Sequence, residues 1–423
     1  MKILVVGSGG REHAIANALA RSPQAPELLC APGNPGIRTL ARQVADSQEV
    51  DVIVKAAQDE GVDLVVVGPE APLVAGLVDA LTAVGIPAFG PTAAAAQLEG
   101  SKTFAKETMI AAGVPTGGHA VVGSVAEGLA AITSYPAVVK FDGLAAGKGV
   151  VIALTEDEAR AALADMLETK VFGDGEVFVE EFLEGDEVSL LALCDGVRAI
   201  PLAPARDFKR ALDGDEGPNT GGMGAFSPVP GVDPAKLAEF SELVHQPIVD
   251  ELARRGTPFH GVLYAGLMLT AAGPRVLEYN TRFGDPETQV VLPRLRSDLA
   301  ELFLRATRHG GLEGAELDVD PRSAVTVVLA SRGYPASASK GDVIEGVDAA
   351  DTLDDVTVFH AGTGGGEGDA PLVTAGGRVL AVTALGEGLG EARAQAYAGA
   401  QSIHFPGRQL RGDIALAASH PTP

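Results

Sequence analysis

Cysteine occurs only twice in the chain, as Cys30 and Cys194, each inside an apolar, strand-like run (ELLCA and LLALC) and far from the other. That usage excludes a disulfide framework and a thiol metal pair, and both are expected as buried thiols. The eight histidines form no i, i+3 or i, i+4 pair, which argues against a histidine-built zinc site. No apolar run is long enough to span a bilayer without glycine, proline or charge. Met1 leads directly into an apolar strand rather than a basic leader, so a soluble, cytoplasmic protein without a membrane partner is expected. Basic residues are scarce too. The 32 Lys and Arg face 56 Asp and Glu, a net charge of −24, which argues against a nucleic-acid partner, whose backbone demands a basic surface. A phosphorylated small molecule remains compatible, because a few lysines and backbone N–H groups can hold it locally.

What is present is a globular composition. Hydrophobic residues make up 46% of 423 and charged residues 21%, enough for two to four domains with buried cores. The 53 glycines and 27 prolines read as many tight connections. Over the first hundred residues, apolar runs (KILVVG, ELLCAPG, DLVVVGPE, IPAFGP) alternate with helical patterns (REHAIANALARS, DVIVKAAQDEG, LVDALTAVG). That βαβαβαβ order predicts a parallel sheet with right-handed crossovers, whose ligands gather beyond the carboxyl ends of the strands. The glycine-rich turns GSGGRE (7–12), PGNPG (32–36) and GPEAP (68–72) sit there. A helix beginning at GSK, β hairpins such as AVVKFDG with GKGVVIAL, and the helices EDEARAALADMLET and KLAEFSELVHQPIVDELARRG make the middle an α+β region. A last block opens with SAVTVVLAS and contains the helix EARAQAYAGAQSI; its TGGGEGD run (363–369) reads as a hairpin tip.

Two glycine motifs are incomplete. GLAAGKG departs from the triphosphate loop G-x-x-x-x-G-K-[ST]: its first glycine is one residue too close, and Gly149 stands where a metal-binding hydroxyl belongs. GSGGRE has Glu12 at the third glycine position of a dinucleotide fingerprint, and the second strand ends in Ala31-Pro32 instead of an acid for ribose. The loop can still offer a helix N-terminus and the Arg11 fork to one anionic group; a plain strand-to-helix turn is an equal reading. Lys140 and Lys148 converge from one hairpin and suit a polyphosphate, although taken alone they read first as solvated lysines on a flexible hairpin. EEFLEGDE (180–187) follows a strand like a connector between lobes, able to take adenine on its backbone and ribose on Glu187. In LEYNTRFGDPE, Glu278 and Asn280 share one strand face, two oxygen donors suited to magnesium, and Arg282 continues that face toward a phosphoryl group.

Paired lysines on a hairpin, EEFLEG after a strand and a late E-x-N-x-R resemble, in that order, the ATP-grasp enzymes. GSGGREHA, APGNPG, VGPEAPLVAG, DGLAAGKGV, PNTGGMGA and EYNTRFGDPETQ more closely resemble the phosphoribosylamine–glycine ligase family, from Met1 to about Asp413. The resemblance implies an ATP-grasp fold over 101–323 with a lid at about 120–190, preceded by a parallel-sheet βαβ substrate-binding domain over 1–100 and followed by a small mixed α+β domain over 324–423. It implies ATP-dependent joining of glycine to 5-phosphoribosylamine through glycyl phosphate, with Mg2+ or Mn2+, by a monomer. No enzyme nucleophile is required, in keeping with the absence of a Ser-His or Cys-His arrangement.

Carried over by motif, Lys102, Lys140 and Lys148 face ATP phosphates; Glu180, Glu181, Phe182 and Leu183 form the adenine connector; and Glu187 meets the ribose. Glu278 and Asn280 hold the metal. Gly9, Gly10, Arg11, Asn34 and Glu70 line the phosphoribosylamine pocket. Arg282, Lys148, Asp207 and Asp285 are the implied catalytic set, and Asp207, Asp285 and Glu287 are candidates for the substrate amines. The chain departs from the family pattern at Phe141, usually a small residue, and at Phe208, usually histidine. Another ATP-grasp ligase or carboxylase would share the lysines and E-x-N-x-R but gives no reason for PNTGGMGA and RFGDPETQ together.

Overall fold

The computed structural model describes residues 1–142, 149–366, 368 and 370–419. Among these residues the alternation of the first hundred becomes a five-stranded parallel sheet of order β3-β2-β1-β4-β5. Its strands are β1 (Lys2–Gly7), β2 (Glu27–Pro32), β3 (Arg42–Gln43), β4 (Leu64–Val67) and β5 (Ala88–Phe89), with α1 (Gly10–Ala20), α2 (Val50–Glu60), α3 (Glu70–Val74) and α4 (Leu77–Ala83) between them. The two-residue β3 carries no apolar run and gave no signal in the sequence. β2 and β4 flank β1 on opposite sides, so the connections leaving them diverge and open a crevice at the strand ends. The turns 7–12, 32–36 and 68–72 border it.

α5 (Ala93–Gly100) and α6 (Lys102–Ala112) meet at Ser101, whose hydroxyl caps α6 by accepting from Phe104 N. Next comes a small antiparallel lobe: β6 (His119–Val122), α7 (Val125–Ala131), β7 (Ala137–Phe141), β8 (Val150–Ala153), α8 (Glu156–Leu167) and β9 (Val177–Glu181), with strand order β6-β9-β7-β8. It has its own apolar core of Val122, Val139, Phe141, Leu163, Met166 and Val177.

The second lobe is a sheet of order β11-β10-β16-β17, from β10 (Asp186–Asp195), β11 (Ala199–Pro201), β16 (His260–Thr270) and β17 (Gly273–Asn280). Between β11 and β16 run β12 (Arg206–Asp207), the hairpin β13 (Arg210–Leu212) and β14 (Glu216–Asn219), and β15 (Gly224–Ser227). The single helix expected over KLAEFSELVHQPIVDELARRG is instead two, α9 (Pro234–Val244) and α10 (Gln246–Arg254). Pro247 explains the break: it has no N–H to donate, and its ring displaces the carbonyl one turn back. After β17 come α11 (Thr288–Val291) and α12 (Leu299–Ala306).

The C-terminal block supplies β18 (Ser323–Ala330), α13 (Val347–Asp351), β19 (Val356–His360), β20 (Thr363–Gly365), β21 (Leu372–Thr374), β22 (Arg378–Gly386) and α14 (Leu389–Ser402). The glycine run 363–366 opens the β20/β21 hairpin; Glu367 and Asp369 lie outside the described residues. One sheet, of order β12-β15-β18-β22-β19, combines strands from before and after residue 323, with Phe226 opposite Val325. The apolar core follows suit. One cluster joins Ile248 and Leu263 to Val325, Val382 and Ala396, and another joins Ile3, Val5 and Ile15 to Leu191, Val262 and Phe303.

Phe303 on α12 is fully buried, stacks on Phe89 at 4.0 Å between centroids and meets Phe283 at 5.9 Å. It thereby locks the first sheet to the segment that follows β17. Phe303→Ala leaves a cavity at this junction and is expected to cost about 3–5 kcal/mol. Thermal unfolding checks this: an unchanged midpoint would mean that the two parts are held by other contacts.

Candidate active site

The segment Thr281–Gln289, running from the end of β17 into α11, is gripped from several directions. Glu99, at the end of α5, accepts from Thr281 N at 2.7 Å and Thr281 Oγ1 at 3.1 Å, and pairs with Arg282 Nη2 at 2.8 Å. Glu70, the first residue of α3, meets Arg282 Nε at 3.3 Å. Burial works against the Arg282 cation, but Glu99 and then Glu70 hold it charged well beyond its ordinary range. Burial likewise opposes ionisation of Glu70, yet Arg282 and Arg11 keep its carboxyl below the usual range. The guanidinium expected at a phosphoryl group is thus held in place by two carboxylates.

Around the GSGGRE turn, Glu12 faces inward. Its carboxylate accepts from Gly9 N at 2.6 Å and Arg11 Nε at 2.5 Å, while Arg11 Nη1 donates to Phe283 O at 3.1 Å. The acid that breaks the dinucleotide fingerprint therefore fastens the loop, and side chains on Gly7 or Gly68 would collide with it, at 2.4 and 2.1 Å. A side chain on Gly10 would come within 2.7 Å of Gln289 Nε2, and one on Gly9 would lie 3.5 Å from Asp285 Oδ2; the turn fits closely over the 281–289 segment. Asn34 is buried, donating to Ser8 O and His360 O at 2.8 Å each and accepting from Ile37 N at 2.9 Å. Its amide organises the turn and fastens it to the C-terminal block.

Two lysines, one of them expected at phosphate, converge on β9. Glu180 is buried and takes Lys140 Nζ at 2.8 Å and Lys106 Nζ at 3.4 Å. Burial raises the cost of its charge, but Lys140 and Lys106 hold its carboxyl below the usual range. Glu180 therefore points to the lysines instead of outward. Lys102 N donates to Asp142 Oδ1 at 2.5 Å; burial pulls the Lys102 amine down, and Glu278 leads the groups that oppose it. Lys148 lies outside the described residues. Phe141, adjacent to Lys140, alternates to the opposite face and fills the small lobe's core against Phe172. Beside the connector, a cavity of about 370 Å³ is lined by Tyr135, Glu181, Phe182, Leu183 and Arg275 among others, with Glu181 and Arg275 paired at 3.1 Å.

A third cluster lies under the β10/β16 sheet. Lys209 Nζ bridges Asp207 at 2.7 Å and Glu187 at 2.8 Å. Glu287 Oε1 accepts from Tyr264 OH at 2.5 Å and Ser189 Oγ at 3.2 Å. Burial pushes the Asp207 carboxyl up to about 6 against the pull of Lys209, with Glu287 and Glu187 adding to the rise. Burial also opposes the Glu187 charge, but Lys209 holds that carboxyl low. Phe208 turns away, in contact with Phe226 at 6.1 Å and under the Arg411 guanidinium at 4.9 Å.

Glu278 is exposed and Asn280 half-buried on either side of buried Tyr279, so they share a face. Asn280 Oδ1 accepts from Arg282 Nη2 at 3.3 Å. Among the described residues no group of three or more His, Cys, Asp or Glu could hold a metal. Two oxygen donors fit magnesium where substrate phosphates and water complete its shell, which is how this hard, reluctantly dehydrated ion is usually bound.

Residues 1–99, 100–288 and 324–417 match the N domain, the ATP-grasp (A) domain and the C domain of phosphoribosylglycinamide synthetase. The chain belongs to that family. A phosphoribosylamine–glycine ligase of Streptomyces coelicolor is 52% identical over 99% of this chain and 100% of its own length; one of Xanthomonas axonopodis pv. citri is 50% identical over 99% and 98%. The crystal structure of phosphoribosylamine–glycine ligase from Thermotoga maritima matches with a TM-score of 0.83 at 35% identity, covering 98% of this chain and 100% of that one. The biotin carboxylase domain of Hydrogenobacter thermophilus 2-oxoglutarate carboxylase, in complex with MgADP, ADP and bicarbonate, has a TM-score of 0.72 at 17% identity over 97% and 91%, a likeness of fold alone. The ATP-grasp fold is thus shared across both groups.

Within this phosphoribosylglycinamide synthetase fold, several site residues gave no clear sequence signal. Lys106 follows Lys102 by four residues and so shares its helix face; Glu99 directly precedes GSK; Lys209 shares a strand-side period with Asp207. Tyr264 carried no local signal, because its partners Ser189 and Glu287 are distant in sequence.

The raised Asp207 carboxyl sets a pH expectation. An acid whose folded value lies above its ordinary value favours the protonated form in the fold, so its ionisation becomes progressively costlier to the fold as pH rises from about 4 through about 6. If ionised Asp207 orients a substrate ammonium, activity rises through the same window. Asp207→Asn is expected to flatten that limb while lowering activity about 10- to 100-fold; a pH–rate profile in which the variant keeps the limb would assign it to another group.

Proposed function

We propose that the chain joins glycine to 5-phosphoribosylamine at the expense of ATP, giving glycinamide ribonucleotide, ADP and phosphate in de novo purine biosynthesis. What carries the reading is the Thr281–Gln289 segment. It sets Arg282 beside the Glu278/Asn280 face and Asp285 against the Gly9 turn, so the phosphoryl-transfer and amine sites share one short stretch of backbone. A glycine carboxylate oxygen attacks the γ-phosphorus, ADP leaves, and glycyl phosphate forms. The amine nitrogen of phosphoribosylamine then attacks the acyl carbon, loses a proton, and the C–O bond to phosphate breaks. Phosphorylation is needed because a carboxylate oxygen is a poor leaving group, and catalysis rests on positioning and charge stabilisation.

In this reading Lys102, Lys140 and Lys148 meet the ATP phosphates, Glu181, Phe182 and Leu183 flank adenine, and Glu187 takes the ribose. Glu180 holds Lys140 in place. Gly9, Gly10, Arg11 and Glu70 border the phosphoribosylamine pocket, which Asn34 shapes from beneath, and Asp207, Asp285 and Glu287 orient amines. Glu278 and Asn280 would hold Mg2+ or Mn2+, which neutralises charge building on the phosphate oxygens. The small lobe, with its separate core, is a lid that closes over ATP. ADP release measured with glycine and phosphoribosylamine each omitted in turn tests the reaction: release independent of either would overturn it.

Glu278→Gln keeps size and one oxygen but removes the charge. It is expected to bind ATP through the lysines and lose most of kcat, with partial recovery at high magnesium. Near-normal activity at limiting magnesium would move the metal elsewhere. ATP with magnesium should also slow limited proteolysis within residues 120–190, since lids close on ligand; unchanged cutting would count against a lid.

A further inference from the structure

Arg378 opens β22 in the C-terminal block, yet its guanidinium reaches the proposed amine site. Nη1 donates to Asp285 O at 2.7 Å and also to Gly221 O, and Nη2 lies 3.4 Å from Asp285 Oδ2. Asp285 Oδ1 accepts from Gln289 Nε2 at 2.8 Å, so the carboxylate is held on both oxygens. The same block takes the other end of the Gly221 peptide: Gly221 N donates to the hydroxyl of Tyr334 at 2.9 Å.

These contacts account for the paired glycines of PNTGGMGA, Gly221 and Gly222. A side chain on Gly221 would stand 2.9 Å from the Arg378 Cζ, and one on Gly222, at φ +112°, would stand 2.4 Å from Pro286 Cδ. The loop can approach Arg378 and Pro286 this closely only without side chains at both positions. It also reaches the second acid, since Thr220 donates to Lys209 O from its N at 2.7 Å and its Oγ1 at 2.8 Å, and Lys209 holds Asp207.

We propose that Arg378 is a positioning residue for the amine-accepting step: it fixes Asp285 directly and, through Gly221, the loop that steadies Lys209 and Asp207. The C-terminal block thereby belongs to the active site. The role needs a planar fork that meets a carboxylate and two carbonyls together, which guanidinium supplies and ammonium does not.

The inference rests on the reading of the site as a ligase, and the test separates the two. Steady-state kinetics of the full chain, with ATP, glycine and phosphoribosylamine varied in turn, are compared for wild type, Arg378→Gln and Arg378→Lys. Arg378→Gln is expected to lower kcat/KM for phosphoribosylamine about 10- to 100-fold while the KM for ATP stays within about twofold, and Arg378→Lys to recover part of the loss. An active wild type with both variants unchanged, or with all constants altered equally, would overturn the positioning role. If Arg378→Gln does not fold, Arg378→Lys decides by the same criteria. A wild type with no amine-dependent ADP release would overturn the ligase reading instead.

Discussion

The site depends on one short stretch of backbone, Thr281–Gln289, being held from every side at once. Glu99 and Glu70 reach it from the helices that leave the first sheet, Arg11 from the first glycine turn, Tyr264 and Ser189 from the central sheet, and Arg378 from the C-terminal block. Each of these contacts pairs a charge or a strong hydrogen-bonding group that burial would otherwise penalise. Losing one partner would leave the other buried and unmatched, so the arrangement resists piecemeal change. Apolar clusters join the same parts, one running from Ile248 to Val325 and another from Ile3 to Phe303.

Charge is distributed on the same logic. In a chain with net charge −24, Lys102, Lys106 and Lys140 are nonetheless gathered near the helix α6 start and β9, with Glu180 neutralising the innermost pair. Burial lowers the cost of deprotonating Lys102 and Lys106, so incoming phosphate oxygens would meet ammonium groups that gain from a partner. On the amine side the balance reverses. Asp207 shares Lys209 with Glu187, and Glu287 lies near Lys209 and Arg282, so carboxylates are gathered where a substrate amine is expected.

Phe141 and Phe208, expected from the resemblance to depart from the family pattern, are packing positions. Phe141 faces the core of the small lobe and Phe208 lies between Phe226 and Arg411. Alternation along a strand explains the first: Lys140 and Phe141 must face opposite ways, so a bulky Phe141 leaves the lysine's face unaltered.

Much was legible in the sequence by itself. The alternating runs of the first hundred residues announced a parallel sheet, because strand and helix periods differ and short apolar runs separated by helices leave few other topologies. E-x-N placed two oxygens on one strand face, since a strand's period of two is local; Arg282 lies just past the end of that strand and reaches Asn280 from there. Glycine spacing ruled out the triphosphate loop and the dinucleotide fingerprint for equally local reasons. Only the tertiary structure decided the rest. That Glu12 points inward to fasten Gly9 and Arg11, that Asn34 saturates its amide on backbone groups, and that Glu180 belongs to the lysines all depend on neighbours brought in from elsewhere in the chain. The sheet joining β15 to β18 and the reach of Arg378 to Asp285 link residues some 90 to 100 positions apart, and no periodicity within a segment encodes a partner at that distance.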